Sequence, residues 1–428
     1  MTLTQAAIQQ LSFKNTLGLL ALLFFTVQPW DRHLADALWL ATSLTSFMYI
    51  SIKKCQGHLF NIPKPLKTLI WLFTLMPVVS VISYLASPLD NLTARVLEPD
   101  TRWLLIIPII IALRDTQISP KWVLALICSY AVSSFLSAFI ETSYLTELWK
   151  RANGDENSVP YGMFNSTIAA MILAFYLSPY ITQDKKHKSR LLKPLVLFAF
   201  ILASTATLLS GSRAAMLLIP LVVIALYLLN FNVKKSIKKL IIILGVGTIL
   251  VSLQSESAFM KRMVGIQDRV ASYFVIGDKT SRLHNQRLEQ WNESLCIFTK
   301  QPILGTGPRS FKQAHQAFGG EDQCDALQFL PQGSYQAHSV YFNTLSTLGL
   351  TGTIISLILV LAFMHIAFQA FRQQSKTENL GGSLLIAVII CHIINGLTLD
   401  LWFMNHVMNK NLIALALPLT LIYSKKIN

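Results

Sequence analysis

Residues 194–229 read PLVLFAFILASTATLLSGSRAAMLLIPLVVIALYLL. Two apolar runs, 194–210 and 214–232, are separated only by Gly211, Ser212 and Arg213. Each run comes close to the roughly 20 apolar residues that carry a helix across a ~30 Å hydrocarbon layer. Lipid offers the backbone no hydrogen-bond partner, so such runs must be helical and satisfy their own amides. The three residues between them are the tip of a transmembrane hairpin.

The same pattern recurs along the chain. Its 428 residues are 53% hydrophobic and only 13% charged, against roughly 25% charged in soluble domains. Twelve candidate spans follow: 16–30, 35–52, 66–86, a short one at 102–113, 121–140, 163–181, 194–210, 214–232, 240–255, 351–371, 381–400 and 408–424. The first is preceded by Lys14 and followed by Asp31, Arg32 and His33 with no small-residue cleavage site, so it reads as a retained span and not a removed signal. The expected fold is an all-α polytopic membrane protein of about twelve helices. Residues 1–255 hold nine spans, 256–350 form one long hydrophilic loop, and 351–428 hold three spans.

Charge sets the orientation. If both termini are cytoplasmic, the short loops on that face hold 20 of the 36 basic residues and only three acids, Asp115, Asp184 and Glu378. That face is then +17 and the opposite one −2, as the positive-inside rule requires of an even number of spans. The basic excess is thus explained by topology and anionic lipid, without nucleic acid. The loop 256–350 faces outward, where no ATP or sugar nucleotide is at hand. A substrate used there must arrive already activated.

Within that loop, Leu288, Trp291, Leu295 and Phe298 recur at helical spacing, which predicts an amphipathic helix at the membrane interface over 280–300. Gln301-Pro302 ends it, because proline cannot continue the hydrogen-bond ladder. A tight turn, Leu304-Gly305-Thr306-Gly307-Pro308-Arg309, comes next, then a short helix near 311–318 and a Gly- and acid-rich stretch to Asp325. Cys296 and Cys324 share this oxidisable side, as a disulfide closing the loop or as two thiols.

Three residues carry chemistry. His338, just before an apolar helix, is the side chain suited to accept a proton near neutral pH, unless it only packs at the interface. Arg213 with Ser212 opens span eight at its helix N-terminus, which suits an anion or a lipid phosphate anchor. Arg287 lies on the amphipathic helix, where the plain alternative is a solvated cation. Arg282, Arg309 and Tyr335 stand near these in sequence as candidate substrate-lining residues. No Asp-x-Asp, His-x-x-x-His or carboxylate cluster suggests a metal, and Gly305-Thr306-Gly307 is too short for a nucleotide loop.

The order Ser212-Arg213, then Arg287-Leu-x-x-Trp291, Pro302-x-x-Gly305-x-Gly307, and His338 before Leu348-Gly349-Leu350-x-Gly352 resembles the O-antigen ligase/polymerase superfamily. The twelve-span topology, with its main loop between spans nine and ten, looks like the ligases. One departure is that many members have His-Asn where this chain has His338-Ser339. The resemblance implies a GT-C-like, inverting glycosyltransferase of the bacterial inner membrane that works without metal, nucleotide or other cofactor. Its donor would be an undecaprenyl-diphosphate-linked glycan and its acceptor the lipid A core, joined at the periplasmic face. On the matched positions, Arg213 and Arg287 would bind the diphosphate and His338 would be the general base. A polymerase using two undecaprenyl-linked substrates is the nearest alternative. A transporter or flippase is the alternative of another class, for which His365, His392 and Asp400 are the few ionisable residues in the spans.

Overall fold

The computed structural model describes residues 3–143, 152, 154, 158–182, 188–230, 286–318, 336–400 and 405–424. The expected ninth span, together with Arg282, Cys324 and Tyr335, lies outside the described residues. Those described form helices and connecting turns, with no strand among them.

Fourteen α-helices are described: α1 Leu3–Val27, α2 Arg32–Cys55, α3 Lys64–Leu85, α4 Arg102–Asp115, α5 Pro120–Ser143, α6 Ser158–Leu177, α7 Pro179–Thr182, α8 Lys188–Leu209, α9 Arg213–Asn230, α10 Gln286–Lys300, α11 Phe311–Phe318, α12 Val340–Phe371, α13 Lys376–Gly396 and α14 Asn405–Ile422. Six of them, α3, α5, α6, α8, α12 and α13, are long and apolar enough to cross a membrane, and shorter apolar helices lie within α1, α9 and α14. The chain is a multi-pass helical membrane protein.

Local chemistry sets the ends. Asp31 caps α2 by accepting from the amides of His33 and Leu34 at 2.9 and 3.0 Å. Gly211, at φ 64°, makes the reversal between α8 and α9 where the hairpin tip is expected. The helix α4 has only 14 residues, about 21 Å at 1.5 Å per residue, less than the hydrocarbon thickness. Two 3-10 turns, Ala94–Leu97 and Pro99–Thr101, precede it and bury Asp100.

The helix α6 is buried over nearly its whole length and α13 over most of it, whereas α3, α8 and α12 turn Trp71, Phe198 and Leu357 outward. Large apolar groups outside and small polar groups inside is the arrangement lipid favours. Ser134 donates to Asn165 at 2.6 Å, and Asn165 donates onward to the Tyr161 carbonyl at 3.0 Å.

The two ends of the bundle differ. At one, Tyr49 donates to Asp115 at 2.7 Å and Arg114 to the Tyr423 carbonyl at 2.8 Å, tying together the lysine-bearing side. At the other, residues 86–101, 301–318, 336–343 and 397–400 gather into what is here termed the loop end. A small apolar core of Leu89, Ile297, Phe311, Ala314 and Ala337 holds it together.

Candidate functional site

The loop end is organised by a break in α12. Gly349 sits at φ 62°, ψ −160°, which divides this 32-residue helix into a short segment from Val340 and a long membrane segment. A break frees backbone groups, and in an apolar setting each must find a partner. The turn 302–307 supplies them. The amides of Thr306 and Gly307 donate to the Ser346 and Thr347 carbonyls at 3.2 and 2.9 Å, while Leu350 and Thr351 donate to the Pro302 and Ile303 carbonyls at 2.8 and 3.1 Å. Ser83 and Ser87 on the α3 side donate to the Leu304 and Thr306 carbonyls at 2.6 and 2.5 Å. The two glycine motifs that carried the resemblance are therefore one structural joint.

Arg309 clamps this joint. Its two terminal nitrogens reach both Asp100 carboxylate oxygens at 3.0 Å, and one also reaches the Val96 carbonyl at 2.7 Å. The pair is nearly enclosed, with side chains 12% and 11% exposed. Expected as a substrate-lining candidate, Arg309 is occupied by Asp100.

His338 follows from the same construction. It lies directly before the α12 N-cap, Ser339, at φ 50°, a left-handed conformation that few non-glycine residues adopt and that clusters at functional sites. Ser339 donates to the Gly396 carbonyl at 3.1 Å, which anchors the turn to the end of α13. The ring is half-buried. Burial first, and then the positive charge of Arg287 on α10, hold its pKa below the usual imidazole value. The charge of Arg287 thus reaches the ring of His338, although 50 residues separate them in sequence. Arg287 is exposed. Trp291, one turn along α10, stacks on Phe342 with centroids 4.9 Å apart and planes at 13°.

Of the other expected positions, Arg213 opens α9 at the hairpin tip. Cys296 on α10 is disulfide-bonded, and Cys55, Cys128 and Cys391 are free.

The amphipathic helix expected here is α10 over its described part, Gln286–Lys300. The face turned into the loop core is Gln290, Glu293, Ser294 and Ile297, while Leu295 is 42% exposed. Of the apolar residues on this helix Trp291 and Phe298 are half-buried, and a largely polar stripe faces inward. Glu293, fully buried, hydrogen-bonds His315 of α11. Burial raises the Glu293 carboxyl to about 8 and lowers His315, so each group's charged form is disfavoured where it sits.

Two more polar groups escaped the sequence reading. Asn343 donates to the buried Asp400 at 2.5 Å. Lys410, inside the last expected span, is fully buried with its ammonium 5.2 Å from the Phe164 ring centroid. Below the short segment of α12 lies an apolar cavity of about 450 Å³, lined by Trp103, Tyr341, Phe363, His392 and Leu415 among others. Its walls include Leu357 and Leu361, which also face the bundle exterior.

Residues 198–357 match the family model described as O-Antigen ligase. This segment runs from within α8 to the membrane part of α12, and so contains α10, the glycine joint and His338. The resemblance read from the sequence holds over it. No curated protein matches the chain.

Proposed function

We propose that the chain is an O-antigen ligase, transferring a finished polysaccharide from undecaprenyl diphosphate to the lipid A core at the periplasmic face of the inner membrane. The observation that supports the reading is that the charge of Arg287 acts on His338 at the loop end, within the segment matched by the family model.

The chemistry suits these groups. The acceptor hydroxyl oxygen attacks the anomeric carbon and forms the new C–O bond. The bond from that carbon to the diphosphate breaks, and undecaprenyl diphosphate leaves with the electron pair. The hydroxyl proton passes to His338, which its lowered pKa keeps neutral and able to accept it. Arg287 offers charge-assisted hydrogen bonds to the diphosphate as charge builds on it, and Arg213 would add a second cation. Attack opposite the leaving group inverts the anomeric configuration. The apolar cavity beneath Tyr341 suits a polyprenyl tail entering from the bilayer. Twelve spans, with the Cys296–Cys324 bond closing the 256–350 loop, complete the proposed architecture.

The test is expression in a strain lacking its own ligase, with the lipopolysaccharide ladder as readout. Wild type should restore the ladder, and His338→Ala and Arg287→Ala, expressed equally, should not. Rescue of a polymerase-null strain instead would transfer the assignment to the polymerase.

A further inference from the structure

His338 has one side-chain neighbour whose chemistry decides which ring nitrogen carries the proton. Gln336, only 7% exposed, places its amide 3.4 Å from Nδ1 of His338. A neutral imidazole holds one N–H and one lone pair, and the partner of one nitrogen sets the state of the other. With the amide NH2 toward the ring, Nδ1 is the acceptor and the proton sits on Nε2, so neither nitrogen has a lone pair free for a substrate. With the amide oxygen toward the ring, Nδ1 keeps its proton and the Nε2 lone pair is free. The amide O and N have nearly the same shape, so the hydrogen-bond network decides between the two. In the NH2-facing arrangement the Gln336 oxygen is buried without a partner. A half turn onto Nδ1 therefore costs that oxygen no hydrogen bond.

We infer that Gln336 is a positioning residue for the transfer reaction, accepting the Nδ1 proton of His338 through its amide oxygen and leaving Nε2 to take the proton of the acceptor hydroxyl. The inference rests on the general-base reading of His338. It also accounts for the state after proton transfer, when both ring nitrogens are donors: an amide oxygen stabilises that imidazolium, whereas an amide NH2 would oppose it. The charged group set against the ring from a packed element, among the described residues, is Arg287 of α10. Gln336 is neutral, so it orients the ring while raising its pKa less than a carboxylate in that place would.

The experiment is the pH dependence of kcat/KM for the full-length purified protein, with undecaprenyl-diphosphate-linked glycan as donor and lipid A core as acceptor. Gln336→Glu keeps an oxygen on Nδ1 but adds a charge, so the acid limb should move up by about one pH unit or more. Gln336→Leu removes the oxygen and should lower kcat by about 10- to 100-fold with KM little changed. The position of the limb does not depend on the fraction of molecules folded, so a poorly folding variant still reports. His338→Ala separates the two levels of the argument. If it is inactive and Gln336→Glu leaves the limb in place, the Gln336 role is overturned while the base survives. If His338→Ala turns over at the wild-type rate, the base reading fails and the Gln336 inference with it.

Discussion

Gly305 and Gly349 meet backbone to backbone across the loop end, so closely that a Cβ on Gly349 would fall 2.6 Å from the Gly305 amide nitrogen and 2.5 Å from the Ile303 carbonyl oxygen. A Cβ on Gly305 would fall 2.4 Å from the Thr347 carbonyl. Both glycines have positive φ, and the φ/ψ of Gly349 lies in a region open essentially to glycine alone. Either Gly→Ala change meets rigid backbone as well as a strained dihedral, which costs about 1–3 kcal/mol by itself. Both variants should lose most of their yield of folded protein, measured by size exclusion and thermal melting in detergent. Ala variants that melt at the wild-type Tm would show that the joint is not tight.

The Arg309–Asp100 clamp predicts coupling. Removing one partner leaves the other charge enclosed, at a cost of about 3 kcal/mol. Arg309→Ala and Asp100→Asn should each lower Tm, and the double variant should lose much less than the sum. Arg309→Lys should rescue little, because an ammonium cannot match the two-pronged contact. Additive losses in the double-mutant cycle would remove the clamp's role.

Arg287 should shift the pH profile as well as the rate. The neutral imidazole is the competent form, so kcat/KM falls as pH drops through the His338 pKa. Arg287 helps to hold that pKa down. Arg287→Gln should therefore move the acid limb to higher pH, by about half a unit to one unit, alongside its loss of rate. An unmoved limb would place the arginine's charge away from the ring.

Glu293 links stability to pH. Its folded-state pKa of about 8 lies above the ordinary carboxyl value near 4.3, so the folded protein holds a proton that the unfolded chain has released. That stabilisation is complete below about pH 4 and is lost as pH rises through about 8. Between pH 6 and 9, Tm should fall more in wild type than in Glu293→Gln, whose neutral amide cannot titrate. Parallel curves would contradict the buried, protonated carboxyl.

What the sequence made legible was what periodicity and punctuation encode. Helices at the described candidate spans, the hairpin tip at Gly211, the helix end at Gln301-Pro302 and the short helix at 311–318 all follow from apolar run length, glycine and proline, and the structure has them. That Arg287 acts on His338 could be reached from the sequence only through the resemblance in motif order, because nothing local to either residue points to the other. Glu293 was missed for a physical reason. Its buried face, Gln290, Glu293, Ser294 and Ile297, has helical spacing but a polar composition, and its partner His315 lies 22 residues on. A buried carboxyl and a solvated one look alike until the partner is in place. Lys410 escaped for the converse reason: one cation in an apolar run does not interrupt the run. The glycine motifs read as family signatures, and only the break in α12 gives them their mechanical meaning.

The most direct measurement is transfer by the purified protein in detergent or nanodiscs, with undecaprenyl-diphosphate-linked glycan and lipid A core as the only substrates. The product should be glycan joined to the core with the anomeric configuration inverted relative to the donor, seen by mass and by NMR of the new linkage, and abolished in His338→Ala. Glycan extended on undecaprenyl diphosphate with no core-linked product, or a core-linked product that keeps the donor's configuration, would contradict the proposed reaction.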